Sequence, residues 1–208
     1  MVRDEAELLA RIEANLARDP REVALRTGEL ERVFGERARG IAPESLRASA
    51  VLVPIVPRAG GATLLLTRRA SGVPVRGGDI VFPGGGAQGD ESLIETALRE
   101  AEEEVGVPAA RTRALGFLDA HPTLIGFWIQ PVVALVPGDF APRPNAREVD
   151  AVYELPLAVA LDLSRHRRVR VTFDGGEHEV QNFEHEGVAL WGVSAAIVRD
   201  LAERSVRQ

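Results

Sequence analysis

The chain contains no cysteine and no lysine among its 208 residues. The absence of cysteine excludes disulfides, thiolate zinc sites and cysteine nucleophiles, and it fits a reducing compartment. The absence of lysine makes arginine the source of all 25 basic side chains. It also excludes a Walker-type phosphate loop, a lysine Schiff base and a Ser-x-x-Lys nucleophile.

Long apolar runs are also missing. None reaches the roughly 18 residues that a membrane-spanning helix needs, and the N-terminus has no apolar signal core. A net charge of −6 gives no sign of a nucleic-acid or membrane surface. We therefore expect a cytoplasmic protein that binds neither nucleic acid nor a membrane.

The pattern of the chain divides it into two parts. Residues 1–49 are predicted to be a helical or irregular N-terminal appendage, which begins with an amphipathic helix over 5–19. Residues 50–208 are predicted to form an α/β domain. Strands are predicted over 48–56, 61–69, 113–120, 126–137 and 150–157, followed by a hairpin over 168–184 and a closing helix over 191–207.

The most informative stretch is residues 84–107, GGGAQGDESLIETALREAEEEVGV, in which seven acidic residues follow three glycines. Ser92 and Glu95 form a capping-box pair and Gly106 is a helix stop, so this stretch predicts a helix over about 93–105. The helical period of about 100° per residue gives this helix an apolar core face. That face consists of Ile94, Ala97, Leu98, Ala101 and Val105.

Three carboxylates are neighbours on the same helix. Glu100, Glu103 and Glu104 are related by i, i+3 and i+4, and we expect Glu100 and Glu104 on the solvent side. Adjacent carboxylates repel one another, and a divalent cation would reverse that repulsion. Hard oxygen ligands suit Mg²⁺ or Mn²⁺, and the preceding glycines allow a backbone carbonyl to approach the same ion. The alternative is a solvated acidic face.

The complete spacing resembles the Nudix box, G-x5-E-x7-R-E-U-x-E-E-x-G-U, where U is apolar. The matching positions are Gly85, Glu91, Arg99, Glu100, Ala101, Glu103, Glu104, Gly106 and Val107. Seven fixed residues with a chance of about 0.1 each give odds on the order of 10⁻⁷ per start position. The resemblance implies an α/β/α sandwich with a mixed sheet and Mg²⁺- or Mn²⁺-dependent hydrolysis of nucleoside diphosphate derivatives.

The resemblance also implies a role for each residue of the box. The implied metal ligands are Glu100, Glu103 and Glu104, helped by the main-chain carbonyl of Gly84 or Gly85. Arg99 would pair with carboxylates of the box and orient them, and Glu91 would support the loop. The general base stays open between a box glutamate and a later one; the later candidates are Glu148, Glu154, Glu184 and Glu186, with Glu154 expected to be structural.

The segment just upstream, residues 65–85, reads LLTRRASGVPVRGGDIVFPGG. It resembles the L-L-T-x-R-[SA]-x3-R-x3-G-x3-F-P-G-G element of coenzyme A pyrophosphatases. One position departs, because Pro74 stands where that element has its second arginine, and the nearest arginine is Arg76. The substrate-binding residues that the resemblance implies are Arg69, Arg76, Phe82 and Gly84. The alternative for either arginine alone is a surface residue that aids solubility.

The implied activity is hydrolysis of coenzyme A or acyl-coenzyme A to adenosine 3′,5′-bisphosphate and (acyl-)4′-phosphopantetheine. One alternative is a Nudix diphosphatase for ADP-ribose or a dinucleotide. Another is a catalytically silent domain that senses a nucleotide, although the intact carboxylates argue against it. The expected partner is a small-molecule nucleotide, a homodimer is plausible from the family, and Trp191 is expected to be a core or dimer-interface anchor.

Overall fold

The computed structural model describes residues 3–20, 46–73, 76–123, 126–173 and 176–207. Pro74, at which the upstream element departs from its pattern, lies outside the described residues. So do residues 21–45, most of the predicted N-terminal appendage, and residues 174–175 in the turn of the predicted hairpin.

A mixed sheet of eight strands forms the centre of the fold. Strand β1 runs parallel to β7, and the other described pairings in this sheet are antiparallel. The principal strand order is β3-β2-β1-β7-β5. In addition, β4 pairs with β1, β6 with β7 and β8 with β2. The strands are β1 (Arg47–Val56), β2 (Thr63–Arg69), β3 (Ile80–Val81), β4 (Gly84–Gly86), β5 (Arg113–Phe117), β6 (His121–Pro122), β7 (Phe127–Leu135) and β8 (Val149–Pro156).

Helices cover both faces of this sheet. They are α1 (Arg3–Ala14), α2 (Leu93–Val105), α3 (Leu157–Ala160) and α4 (Val193–Ser205), with 3₁₀ turns at Ala109–Arg111 and Leu163–Arg165. Because successive side chains of a strand point to opposite faces, β1 contributes Val53 and Ile55 to one core and Leu52 and Val56 to the other. The first core includes apolar residues of α1 and α4, and the second includes those of α2. The predicted α/β/α sandwich is confirmed.

Helix α2 has the predicted bounds because both of its ends are specified locally. Ser92 Oγ accepts a hydrogen bond from the Glu95 N–H at 3.3 Å, and the Glu95 carboxylate accepts one from the Ser92 N–H at 2.8 Å. Gly106 ends the helix in the left-handed conformation, with φ of 72°. Its buried side is shifted from the predicted one: Ala97, Ala101 and Val105 are buried together with Thr96 and Glu104, while Ile94 and Leu98 are partly buried.

Helix α1 ends earlier than the predicted helix over 5–19. Its last residue is Ala14, because Ala17 leaves the helical path and exchanges two backbone hydrogen bonds with Phe117. Leu9, Ile12 and Leu16 are buried in the same core as α4. The described part of the N-terminal region therefore packs on the sheet, and a domain boundary at residue 49 stays a prediction.

A second, antiparallel sheet follows the first. It consists of β9 (Arg167–Phe173), β10 (Gly176–His185) and β11 (Val188–Trp191), with β10 in the middle. The β9–β10 hairpin confirms the predicted one, while β11 was not predicted. Strand β11 contacts β3 of the large sheet and leads directly into α4. Among the helices that the structure describes, none has the length and apolar character to cross a membrane.

Candidate active site

The glycine run after β3 forms a strand that lies directly against β1. Gly84 pairs with Val51, and Gly85 pairs with Ala50. A Cβ atom on Gly84 would lie 2.6 Å from the Val51 Cα and would overlap the Ala50 carbonyl oxygen. No other residue fits at position 84 unless the backbone of β1 moves.

Gly85 has a different role, because a carboxylate lies against its backbone. A Cβ atom there would be 2.5 Å from the carboxyl carbon of Glu100 and 2.6 Å from both of its oxygens. The missing side chain therefore creates a cradle beside the main chain, and Glu100 fills it.

Glu104 is buried, with only 5% of its surface exposed, so the expectation that it lies on the solvent side is wrong. It follows Ala97 by seven residues, which at 100° per residue is a separation of about 20° on the helix. It therefore shares the buried side with Ala97. Its Oε2 accepts a hydrogen bond from the Gly84 N–H at 3.2 Å. Burial raises the pKa of Glu104 to about 7, although the Gly84 hydrogen bond and the charge of Arg69 oppose that shift.

Glu100 and Glu103 differ in exposure although both face Arg99. The Glu100 carboxylate accepts a hydrogen bond from Arg99 Nη1 at 2.8 Å, and burial raises its pKa against that contact. The Glu103 side chain is 55% exposed and lies 3.3 Å from the same nitrogen. The structure thus brings Glu100 and Glu104 to the glycine strand and leaves Glu103 at the solvent edge.

Arg99 connects the carboxylates to the glycine loop. Its Nε and Nη2 donate to the two oxygens of Glu91 at 2.6 and 3.1 Å, and Nη2 also donates to the Gly86 carbonyl at 3.2 Å. The bond to Arg99, followed by one from the Gln88 N–H, lowers the pKa of Glu91 to about 2. Such a forked pair fixes the plane of both groups, so Arg99 orients Glu91 and Glu100 together.

The carboxylates have the chemistry of a divalent-cation site. Within the described ranges, no group of three or more Asp, Glu or His side chains already encloses a metal position. However, burial raises the pKa values of Glu100 and Glu104, and the charges of neighbouring carboxylates raise them further. Clustered carboxylate oxygens next to a glycine backbone are ligands that suit Mg²⁺ or Mn²⁺.

A cleft of about 250 Å³ opens along the glycine strand. All four predicted substrate-binding residues line it, namely Arg69, Arg76, Phe82 and Gly84. The other lining residues are mainly apolar and come from β1, β3, β4, β7 and α4, apart from Thr123, which follows β6. They are Ser49, Val51, Val81, Gly85, Gly86, Thr123, Phe127, Ile129, Val193, Ser194 and Ile197.

Comparison with known proteins assigns the family. The family model of the NUDIX domain matches residues 46–174, which include the box and the cleft arginines. The chain belongs to the Nudix hydrolase family. A Nudix hydrolase of Yersinia enterocolitica, named NudL and described as uncharacterized, is 45% identical over 157 residues, 75% of this chain and 80% of the relative. The NudL of Yersinia pestis is 43% identical over 159 residues, 76% of this chain and 79% of the relative.

Solved structures agree with the fold. A structure from Deinococcus radiodurans covers 85% of this chain and 98% of its own, with 21% sequence identity and a TM-score of 0.50. At that identity the likeness supports the Nudix fold alone.

The four later glutamates that were candidates for the general base lie in different parts of the structure. Glu148 lies just before β8, and its charge contributes to raising the pKa values of Glu100 and Glu104, which burial chiefly raises. Glu154 pairs with Arg58 at 2.5 Å on β8, a structural contact. Two others, Glu184 and Glu186, belong to β10 and the turn that follows it. Glu148 is therefore the later carboxylate that the structure relates to the Nudix box.

Two features of the cleft were missed by sequence reasoning. The last helix contributes part of the wall, and Trp191 contacts an arginine of the cleft. The Trp191 side chain is 37% exposed, so it is not a core anchor, and the Arg76 guanidinium lies over its ring. Neither feature has a local signal, because both depend on the contact of β11 with β3.

Proposed function

We propose that this Nudix hydrolase cleaves the diphosphate of coenzyme A or acyl-coenzyme A. The products are adenosine 3′,5′-bisphosphate and 4′-phosphopantetheine or its acylated form. The observation that carries the proposal is the meeting of Arg69, Arg76, Phe82 and Gly84 in one cleft, whose Gly84 also bonds the box carboxylate Glu104. These residues belong to the segment that resembles coenzyme A pyrophosphatases.

The residues proposed to hold Mg²⁺ or Mn²⁺ are Glu100, Glu103 and Glu104, with the main-chain carbonyl of Gly84 or Gly85. A bound divalent ion supplies charge neutralisation of the diphosphate and lowers the pKa of a coordinated water. The buried carboxylates and the side-chain-free backbone of Gly85 support this assignment.

The remaining roles belong to side chains of this chain. Arg99 holds Glu91 and Glu100 in a fixed orientation through its forked hydrogen bonds. Arg69 offers a guanidinium to the diphosphate at the carboxylate end of the cleft. Glu148 is the proposed acceptor of the proton that the attacking water loses as a P–O bond of the diphosphate breaks.

A substrate panel tests the proposal. Coenzyme A, acetyl-coenzyme A, 3′-dephospho-coenzyme A, ADP-ribose and NADH are compared by kcat/KM with Mg²⁺ and with Mn²⁺, and the products are identified by mass. The proposal expects coenzyme A or its thioester to rank first. A preference for ADP-ribose or NADH would retain Nudix chemistry and reject the substrate. Binding without turnover of any panel member would favour a sensor domain.

The proposal includes the cellular location and the oligomeric state of the enzyme. It is a cytoplasmic enzyme of small-molecule nucleotides, and a homodimer is the family expectation. Gel filtration with light scattering would measure the oligomeric state directly.

A further inference from the structure

Trp191 follows the matched NUDIX region, which ends at residue 174, yet it contacts the substrate cleft. It is the last residue of β11. The guanidinium carbon of Arg76 lies 4.6 Å from the centroid of the Trp191 ring. A guanidinium at that distance is attracted by the negative face of the aromatic ring. Trp191 therefore supports one face of the Arg76 guanidinium.

Asp79 holds the same guanidinium by its edge. The Arg76 Nε donates to Asp79 Oδ2 at 2.7 Å. The two side chains, three residues apart in the sequence, thus form an ion pair. Asp79 accepts from Nε in this contact, so the N–H donors of Nη1 and Nη2 are not used by it. The backbone of Arg76 is left-handed in this arrangement, with φ of 55°, a conformation that residues with a side chain adopt infrequently.

The two cleft arginines have different neighbours. Burial raises the pKa of Glu104, and the charge of Arg69 is among the main influences that oppose it. Arg76 instead has the Trp191 ring and the Asp79 carboxylate as its neighbours. Arg76 therefore lies at the part of the cleft that adjoins β11, next to the wall that α4 forms directly after Trp191.

We propose that Trp191 and Asp79 are positioning residues that hold Arg76 toward a phosphate monoester of the substrate, away from the diphosphate that is cleaved. This inference rests on the proposed function, because coenzyme A carries such a group, its 3′-phosphate, on the ribose. The forked donors of a guanidinium match a phosphate, and an aromatic face with a carboxylate at the edge keeps the fork in one plane. The segment from β11 to α4 thereby determines selectivity for the nucleotide end of the substrate.

Kinetics on two substrates test this role. Trp191→Ala should raise KM for coenzyme A by about 3- to 30-fold, the range for loss of a cation–π contact. The kcat should stay within about twofold, because the contact is remote from the bond that breaks. The KM for 3′-dephospho-coenzyme A should not change. Trp191→Phe keeps an aromatic face and should restore most of the affinity, and Leu163→Ala, a comparably exposed apolar side chain outside the cleft lining, should have no effect.

Asp79→Asn tests the other half of the same contact. It removes the ion pair at the edge of Arg76 and should cause the same selective increase in KM, which keeps the test available if Trp191→Ala folds poorly. An equal increase on both substrates, a loss of kcat on both, or a wild type that does not distinguish the two substrates would overturn the inference.

A binding measurement separates this inference from the proposed function. Calorimetry needs no turnover and compares adenosine 3′,5′-bisphosphate with AMP, which lacks the 3′-phosphate. We expect the wild type to prefer the bisphosphate and Trp191→Ala to lose that preference. If the wild type shows this pattern but does not cleave coenzyme A, the proposed function is wrong and the positioning role stands. If the preference is absent, or survives in Trp191→Ala, the positioning role is wrong whatever the substrate.

Discussion

The carboxylate of Glu104 accepts a hydrogen bond from the backbone N–H of Gly84, at 3.2 Å, across the junction between α2 and the glycine strand. This contact joins the helix that carries the carboxylates to the strand beside which the cleft opens. It also holds an acidic side chain in a buried position, and this burial raises the pKa of Glu104 to about 7. The site therefore contains a carboxylate whose burial destabilises the metal-free fold.

Glu104→Gln should stabilise the metal-free protein. At pH 8 the buried carboxylate is largely ionised, whereas glutamine keeps an oxygen that can accept from Gly84 and has no charge to desolvate. The expected gain is on the order of 1–3 kcal/mol, or about 2–4 °C in Tm for each kcal/mol. Thermal unfolding in EDTA measures it. Glu103→Gln, at an exposed position, is the matched control and should change Tm by less; a lower Tm for Glu104→Gln would contradict the account.

The same substitution should remove activity. Glu100→Gln and Glu104→Gln are each expected to lower kcat by about two orders of magnitude or more with Mg²⁺, because a neutral amide is a poor ligand for a hard cation. Circular dichroism should show an intact fold in both variants. Retention of wild-type rates in both variants would remove these residues from the metal site.

Arg99 and Glu91 should act as a unit. Arg99→Lys retains the charge but not the fork that holds Glu91 and Glu100, so we expect a loss of about 10- to 100-fold in kcat/KM, as for residues that orient metal ligands. Glu91→Gln should cause a smaller loss. The double variant should be little worse than Arg99→Lys alone. Losses that multiply would mean that the two residues act independently.

A pH effect on stability is expected outside the active site. His166 is buried near the Phe183 ring, and its Nε2 lies 2.8 Å from the Ala160 carbonyl. Burial lowers the pKa of His166, and the hydrogen bond to Ala160 opposes that shift. The unfolded chain then binds a proton more readily than the folded one, so stability falls as pH drops below about 6.5.

Urea unfolding between about pH 5 and 8 tests this effect. His166→Asn should unfold at a lower urea midpoint at neutral pH, since it loses packing, and its midpoint should fall less than that of the wild type toward acid pH. Parallel pH profiles for the two proteins would show that another group is responsible.

The elements that the sequence predicted well are those with local signals. The ends of α2 depend on Ser92, Glu95 and Gly106, which lie at or next to those ends. The burial of Glu104 was also predictable, since this residue lies about 20° from Ala97 around the helix. We expected it on the solvent side because it is charged. The contact of Trp191 with Arg76 was not predictable, because it requires β11 and β3 to meet in the folded protein.

The central claim is that the Nudix box of this chain acts on coenzyme A. The most direct measurement is to incubate the wild type with coenzyme A and Mg²⁺, with EDTA as the control, and to identify the products by mass. The account predicts adenosine 3′,5′-bisphosphate and 4′-phosphopantetheine in equal amounts with Mg²⁺ and neither with EDTA. Intact coenzyme A under conditions in which ADP-ribose or NADH is cleaved would contradict it.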